Sequence, residues 1–181
     1  MSAFFKRQLA DYVEYHRDPL NCAMHVFGII ALFFAATLPL SLVPIHALGA
    51  HTTLAPLLAL PVLVYWLMLD AAIGAAILAS AVVLLSAAAF VADHASLAVL
   101  WSVTVTLIIL GIGFQVIGHR VFERRQPALV DNPSHLLLGP MFVMTKLFIA
   151  LGLRRDLADI IQTVPPPSSS RERQAGPLPR S

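Results

Sequence analysis

The sequence predicts an all-α integral membrane protein: a bundle of four transmembrane helices with flanking amphipathic or re-entrant helices. Of its 181 residues, 58% are hydrophobic and 12% are charged, and the mean hydropathy is +0.79. An average soluble domain has about 25% charged residues, so this chain has too few polar groups to cover a soluble globule. Its high hydrophobicity equally excludes a disordered chain.

The distribution of charge predicts an even number of crossings. Every Lys and Arg lies at or before Arg17 or at or after Arg120, and the only formal charges between them are Asp18, Asp70 and Asp93. Short flanks rich in Lys and Arg stay on the cytoplasmic side. We therefore expect both termini to be cytoplasmic, in a bacterial inner membrane or, in a eukaryote, the endoplasmic reticulum.

Four apolar segments supply the crossings, each close to the roughly 20 residues that cross the hydrocarbon. They are residues 20–43, 53–69, 71–91 and 97–118. Asp18 is a suitable N-cap for the first, and Pro19 suits its first helical position. The joints at 44–52, at Asp70 and at 92–96 are short, which forces neighbouring helices to be antiparallel.

Two further segments are expected to lie along the cytoplasmic surface. Near the N-terminus, apolar and aromatic residues recur at helical spacing and predict an amphipathic helix: Phe5, Leu9, Tyr12 and His16. Residues 136–153 are apolar, but a crossing there would place Arg154 and Arg155 outside, so an interfacial or re-entrant helix is favoured.

These elements predict a single membrane domain over residues 1–162. Residues 163–181 are rich in Pro, Ser and Arg and have few apolar side chains. This composition predicts a disordered tail.

Four of the seven histidines fall at the cytoplasmic face of this bundle: His16, His25, His119 and His135. Asn21 and His25 are four residues apart and share a helix face, as do Gln115, His119 and Glu123. The other three histidines, His46, His51 and His94, fall in the outer joints and are interpreted as solvated loop residues.

This grouping predicts a metal site. A buried imidazole in a membrane helix is unfavourable without a partner, and imidazoles with a carboxylate but no paired thiolates suit Fe(II), Zn(II), Mn(II) or Cu(II). The expected ligands are His16, His25 and His119, with His135 as a further candidate. Glu123, Asn21 and Gln115 are the candidate catalytic groups, and Glu123 either orients His119 or ligates directly. Any one of these histidines alone would be read as an interfacial side chain.

A basic rim surrounds the predicted site. Arg17, Arg120 and Arg124 either anchor lipid headgroups or bind the acidic headgroup of a substrate. A substrate with a long alkyl tail would extend that tail between the helices, where each buried methylene contributes about 0.8 kcal/mol. The net charge of +2 gives no reason to expect a nucleic-acid partner, and the sequence does not determine the oligomeric state.

The two polar groups together carry a family resemblance. The first half of the pattern is His16-x4-Asn21-x3-His25-x2-Gly28, and the second is Gln115-x2-Gly118-His119-x3-Glu123-x3-Pro127-Ala128, followed by Gly139-Pro140-x-Phe142. This pattern resembles the yeast-type 2-hydroxy fatty acid dioxygenase family of small multi-helix membrane proteins. Lys146 departs from it, since an acidic residue is expected after the Gly-Pro segment.

The resemblance implies an iron(II)-dependent enzyme that shortens 2-hydroxy fatty acids by one carbon, in fatty acid α-oxidation. Its partners would be a long-chain 2-hydroxy fatty acid and O2. His16, His25 and His119 would help hold Fe(II), with Glu123 and His135 as further candidates. Because the ligands must be neutral imidazoles, metal occupancy is expected to fall below about pH 6.5.

Three other functions compete with this one. The same histidines could bind zinc or haem in a non-catalytic membrane protein, with His25 and His119 as axial haem ligands. A transporter or channel is disfavoured because the crossings carry few polar groups near the midplane. A membrane di-iron hydroxylase or desaturase is disfavoured because closely paired histidine boxes are absent from the sequence.

Overall fold

The computed structural model describes residues 2–47, 50–124 and 135–162, and these are mostly helical. The helices are α1 (Ala3–Glu14), α2 (Pro19–Ser41), α3 (Leu54–Leu69), α4 (Ala71–His94), α5 (Leu97–Ile117), α6 (His135–Ala150) and α7 (Arg155–Gln162). A π-helical segment, Gly118–Glu123, continues α5. The predicted disordered tail, residues 163–181, lies outside the described residues, as do Pro127 and Ala128.

Within the described residues, three helices are long and apolar enough to cross a membrane: Pro19–Ser41, Ala71–His94 and Leu97–Glu123, the last including the π-helical segment. They leave many large apolar side chains exposed, such as Phe27 and Ile109, which suits contact with lipid. The predicted second crossing corresponds to α3, which is apolar but has 16 residues. At 1.5 Å per residue α3 is about 24 Å long, against roughly 30 Å of hydrocarbon.

Aspartate caps set the starts of α2 and α4. Asp18 accepts hydrogen bonds from the backbone N–H groups of Leu20 at 2.8 Å and Asn21 at 3.2 Å, which confirms the predicted cap. Asp70 caps α4 in the same way, through the N–H groups of Ala72 and Ile73, both at 3.1 Å. Asp70 alone therefore joins α3 to α4, as the sequence predicts.

Glycines let α2 and α5 approach closely. A Cβ on Gly28 would lie 2.9 Å from Gln115 Nε2 and 3.0 Å from the Gly111 carbonyl oxygen, so no larger residue is accommodated at this crossing without movement. Small residues at such crossings are typical of membrane helices, because backbone proximity replaces hydrophobic association. The packing brings the start of α2 against the end of α5.

The joint between α2 and α3 contains a two-stranded antiparallel hairpin, β1 (Pro44–Ala47) and β2 (Ala50–Thr53), where the sequence indicates only a short connection. The N–H of Leu54 donates to the Val43 carbonyl at 2.9 Å and closes the hairpin onto α3. His46 and His51 are paired across the strands and exposed, in agreement with their interpretation as solvated residues.

The two helices that the sequence predicts to lie along the cytoplasmic surface, α1 and α6, pack against each other and contribute to one core. Helix α1 buries Phe5, Leu9 and Tyr12, the face that the sequence predicts to be apolar. Helix α6 buries Met141 and Phe142 in the same core. This core lies beside the start of α2 and covers the histidines described next.

Candidate metal centre

Three buried histidines converge from distant parts of the chain. His16 follows α1, His25 lies two turns into α2, and His119 belongs to the π-helical segment. Each offers one nitrogen, and these three nitrogens all lie within 4.8 Å of one another. The rings meet at steep angles, with centroids 4.3 to 4.9 Å apart. All three side chains are at most 4% exposed, so a bound ion would be shielded from bulk solvent.

Backbone carbonyls fix the orientation of two of these imidazoles. His16 Nδ1 lies 2.9 Å from the Tyr12 carbonyl oxygen, and His25 Nδ1 lies 3.2 Å from the Asn21 carbonyl oxygen. A carbonyl oxygen only accepts, so in each pair Nδ1 carries the hydrogen. The neutral ring then presents the lone pair of Nε2 as a ligand, and the buried Nε2 of His16 has no hydrogen-bond partner among the described residues.

The surroundings of His16 favour a neutral ring. Burial, with a smaller contribution from the neighbouring His25, lowers the pKa of His16 from 6.5 to about 2. Tyr12 stacks on this imidazole with ring centroids 4.0 Å apart, and burial raises the pKa of Tyr12, so it remains a neutral phenol. Protons therefore compete for His16 only at a pH far below 6.5, lower than the sequence alone suggests.

The π-helical segment separates residues that the sequence places on one face. Gln115 and His119 both line the cavity beside the three imidazoles. Glu123 instead turns toward the start of α2, where its Oε1 accepts from the backbone N–H of Asp18 at 2.8 Å and from Asn21 Nδ2 at 3.0 Å. A π-helix has a wider turn than an α-helix, so the four-residue spacing used in the prediction does not hold there.

Asn21 joins the two halves of the predicted motif. It is fully buried, and its amide donates to Glu123 while its Oδ1 packs against Gly118. A Cβ on Gly118 would overlap this oxygen, so glycine is required for the contact. Asn21 and Glu123 therefore form a clamp between α2 and the π-helical segment, and neither is among the described residues that line the cavity.

His135 lies on the wall of the same cavity, apart from the three clustered nitrogens. It begins α6, is 3% exposed, and its Nε2 lies 2.9 Å from Asp11 Oδ2. The sequence groups it with the metal ligands, but the structure pairs it with a carboxylate on α1. Its buried Nδ1 has no hydrogen-bond partner within the described part of the chain.

The basic rim lies outside the cavity lining. Arg120 and Arg124 are exposed and Arg17 is half-buried. Arg124 ends the π-helical segment in a left-handed conformation, with φ of 53°. Their role as lipid anchors or headgroup ligands therefore stays a prediction.

The cavity itself has a volume of about 170 Å³, and its wall combines polar and apolar side chains. The imidazoles and Gln115 are among its polar residues. The remaining wall is mostly apolar and includes Ile29, Leu32 and Phe33. This arrangement can hold a molecule with a polar head and an apolar body.

Sequence reasoning missed two contributors to the site. Tyr12 precedes His16 by four residues on the predicted amphipathic face, so helical spacing did offer a signal for the stacked pair. Asp11 contacts His135 across 124 residues of sequence, and no local pattern could reveal that pair.

Comparisons with known proteins show the family to which the chain belongs. A family profile described as "Mpo1-like: 2-hydroxy-palmitic acid dioxygenase Mpo1-like" matches residues 2–151. The 2-hydroxy-palmitic acid dioxygenase MPO1 of Saccharomyces cerevisiae is 30% identical over 148 residues, which cover 81% of each chain. No solved structure matches the chain significantly. On these matches, which include all three clustered histidines within the profile, the chain belongs to the Mpo1-like family.

Proposed function

We propose that this chain is a membrane-bound, non-haem iron(II) dioxygenase that shortens 2-hydroxy fatty acids by one carbon. The observation that carries the proposal is the convergence of His16, His25 and His119 on the wall of a cavity that apolar side chains also line. Family membership supplies the reaction class, because the yeast relative is named as a 2-hydroxy-palmitic acid dioxygenase.

The donor set suits iron(II). Three neutral imidazoles provide borderline nitrogen ligands, and no thiolate joins them among the described residues. Three protein ligands leave coordination positions open, as a catalytic site requires. The chemistry supplied by iron(II) when bound is the activation of O2, which protein side chains do not provide.

The chain's own residues hold the ligands and exclude water. The Tyr12 and Asn21 carbonyls keep the Nδ1 hydrogens of His16 and His25 in place, so Nε2 remains free to ligate. Asn21 and Glu123 hold α2 against the π-helical segment that carries His119. Ile29, Leu32 and Phe33 add apolar surface to the cavity wall, which limits the entry of water.

Two further apolar cavities continue along α2 and offer a place for the alkyl tail. The cavity of about 150 Å³ shares Ile29 and Phe33 with the histidine cavity, and the next, of about 200 Å³, shares Phe33 and Trp66 with the second. From His25 to Leu40, α2 rises about 22 Å. The acyl chains of one leaflet fill about 15 Å of hydrocarbon. The path along α2 is therefore long enough for a long acyl chain.

The proposed topology has four crossings, with both termini cytoplasmic and residues 1–162 forming one membrane domain. Hydrogen bonds at the two ends of α3 support it. At the start of α3 the Leu54 N–H donates to the Val43 carbonyl beside the outer hairpin. At its end the Leu69 carbonyl accepts from the Ser2 N–H at 3.0 Å, beside α1. In this proposal residues 163–181 form a disordered tail, and the host membrane is a bacterial inner membrane.

Haem binding through the same histidines is disfavoured by their spacing. A b-type haem needs two axial imidazoles on opposite faces of a large planar ring. The His25 and His119 rings have centroids only 4.7 Å apart and are perpendicular, with His16 against both. This packing leaves no space between the two rings for a planar haem.

The test is turnover by purified protein loaded with Fe(II). With 2-hydroxypalmitate and O2, we expect pentadecanoate as product, and iron near one equivalent per chain. His25→Ala and His119→Ala each remove a ligand, so iron and product should both fall by at least about tenfold. His46→Ala, which alters an exposed imidazole in the outer hairpin, is the matched control and should retain both.

Two outcomes would contradict the proposal. The first is full iron loading without any shortened acid, and the second is unchanged product in the His25 and His119 variants. Zinc in place of iron, with no turnover after exchange, would support the non-catalytic metal-binding protein instead.

A further inference from the structure

His135 occupies a position that suits substrate recognition better than metal binding. It begins α6, and its side chain is buried on the wall of the histidine cavity. It is not one of the three residues whose nitrogens cluster. The edges of Tyr12 and Tyr15 pack against its ring, with centroids 5.4 and 5.8 Å away, so the imidazole is held in place.

Asp11 determines which nitrogen of His135 carries the hydrogen. Asp11 Oδ2 lies 2.9 Å from His135 Nε2, and a carboxylate only accepts hydrogen bonds. Nε2 is therefore the donor, and in the neutral ring Nδ1 has a lone pair. This Nδ1 is buried without a hydrogen-bond partner among the residues that the structure describes. An unpaired buried acceptor is unfavourable, so a ligand that donates a hydrogen bond there would be stabilised.

The chemistry of the proposed substrate identifies that donor. The carboxylate of a 2-hydroxy fatty acid only accepts hydrogen bonds, and its alkyl chain forms none. Its 2-hydroxyl is the one group that can donate to an imidazole lone pair. We infer that His135 Nδ1 accepts the hydrogen bond of the substrate's 2-hydroxyl, and that Asp11 positions His135 for this contact by fixing its tautomer.

This inference rests on the proposed function and makes His135 a specificity-determining residue. A site built to pair with a hydroxyl rejects analogues that lack the hydrogen, because its own polar group is then left unpaired. The three clustered imidazoles remain available for the metal. His135 therefore explains why the site would select 2-hydroxy acids over unsubstituted ones.

The experiment measures ligand binding to metal-free protein by calorimetry in detergent, so it does not depend on turnover. The probes are 2-hydroxypalmitate, 2-methoxypalmitate, which keeps the oxygen but not the hydrogen, and palmitate. Wild type should bind the hydroxy acid at least about tenfold more tightly than the other two. His135→Phe, which keeps an aromatic ring, should reduce this preference to about twofold or less.

Asp11 variants test the positioning role without altering the cavity wall, since the Asp11 side chain is half exposed. Asp11→Leu removes the acceptor and should lower the preference for the hydroxy acid several-fold. Asp11→Asn keeps an oxygen that accepts from Nε2 and should restore most of it. A merely structural role would change the affinity for all three acids equally.

The outcomes separate this inference from the proposed function. An unchanged hydroxyl preference in His135→Phe, or none in wild type, overturns the inference even if iron-loaded protein produces pentadecanoate. A preference that is lost in His135→Phe and in Asp11→Leu supports it even if no product forms. In that case the dioxygenase proposal fails while the hydroxyl site stands.

Discussion

At the scale of single residues, burial prepares His16 for a metal. A ligand must be neutral, and the folded chain achieves this by removing the imidazole from water before any ion binds. The same burial makes the metal-free protein sensitive to acid. The unfolded chain can protonate this imidazole near its usual pKa of 6.5, whereas the folded chain cannot until the pH approaches 2.

We therefore predict that metal-free protein loses stability on acidification. Below pH 6.5 the unfolded state binds more protons than the folded state, so the free energy of unfolding falls as the pH falls. For His16 alone the loss between pH 6.5 and pH 5 is about 1–2 kcal/mol. The measurement is thermal unfolding in detergent with chelator at both pH values.

Two variants make this measurement specific to His16. His16→Gln removes the titrating group and should flatten the dependence on pH. His94→Gln, which alters an exposed imidazole at the end of α4, should leave it as in wild type. If acidification lowers the unfolding temperature of His16→Gln and of wild type equally, burial of this imidazole does not control the acid sensitivity.

At this scale the sequence predicts correctly which three histidines come together. Asn21 and His25 share a face of α2 because four residues separate them, and the structure brings His25 to His16 and His119 as the sequence predicts. Glu123 and His135 behave differently from expectation. Glu123 follows a π-helical turn, and the partner of His135 is on another helix, so neither contact obeys α-helical periodicity.

At the scale of secondary-structure elements, the crossing of α2 with the end of α5 determines whether the site forms. Gly28 and Gly118 are both points of close approach, and at Gly118 the neighbour is Asn21, whose side-chain amide donates to Glu123. The sequence identifies both glycines as part of a motif. It does not reveal that the Asn21 side chain is the neighbour that requires glycine at position 118, because that contact depends on how the helices pack.

We predict that Gly118→Ala disrupts the clamp and weakens metal binding. The added methyl group would overlap Asn21 Oδ1, and overpacking of this kind costs about 1–3 kcal/mol. Because His119 is the next residue, we expect iron per chain to fall together with the unfolding temperature. Iron analysis and thermal unfolding in detergent measure the two effects.

Gly113→Ala is the matched control on the same helix. A Cβ there would meet nothing within 4 Å, so this variant should keep its iron. It should unfold at the same temperature or slightly higher, since alanine favours a helix over glycine by about 1 kcal/mol. If both alanine variants behave alike, close approach at Gly118 is not what holds the site together.

At the scale of the whole molecule, the site and the membrane topology constrain each other. His25 lies near the start of the first spanning helix and His119 near the end of the last. Their nitrogens lie within 4.8 Å, so a chain that spans a membrane here has to cross it an even number of times between them. Helices α2, α4 and α5 alone give three crossings, so the proposed topology takes α3 as the fourth. Its shortfall in length can be met by local thinning of the bilayer.

We predict that single cysteines will report four crossings when the protein is expressed in a bacterial inner membrane. The decisive position is Asp93, which is exposed near the end of α4. If α3 crosses, Asp93→Cys lies outside and reacts with a membrane-impermeant maleimide in intact spheroplasts, as does Thr52→Cys in the hairpin. Lys6→Cys and Arg155→Cys should react only after lysis, and the parent protein, whose one cysteine is the buried Cys22, gives the background. If Asp93→Cys reacts only after lysis while Thr52→Cys reacts in intact spheroplasts, α3 does not cross. His25 and His119 would then lie on opposite sides of the membrane, and no single ion could bind both.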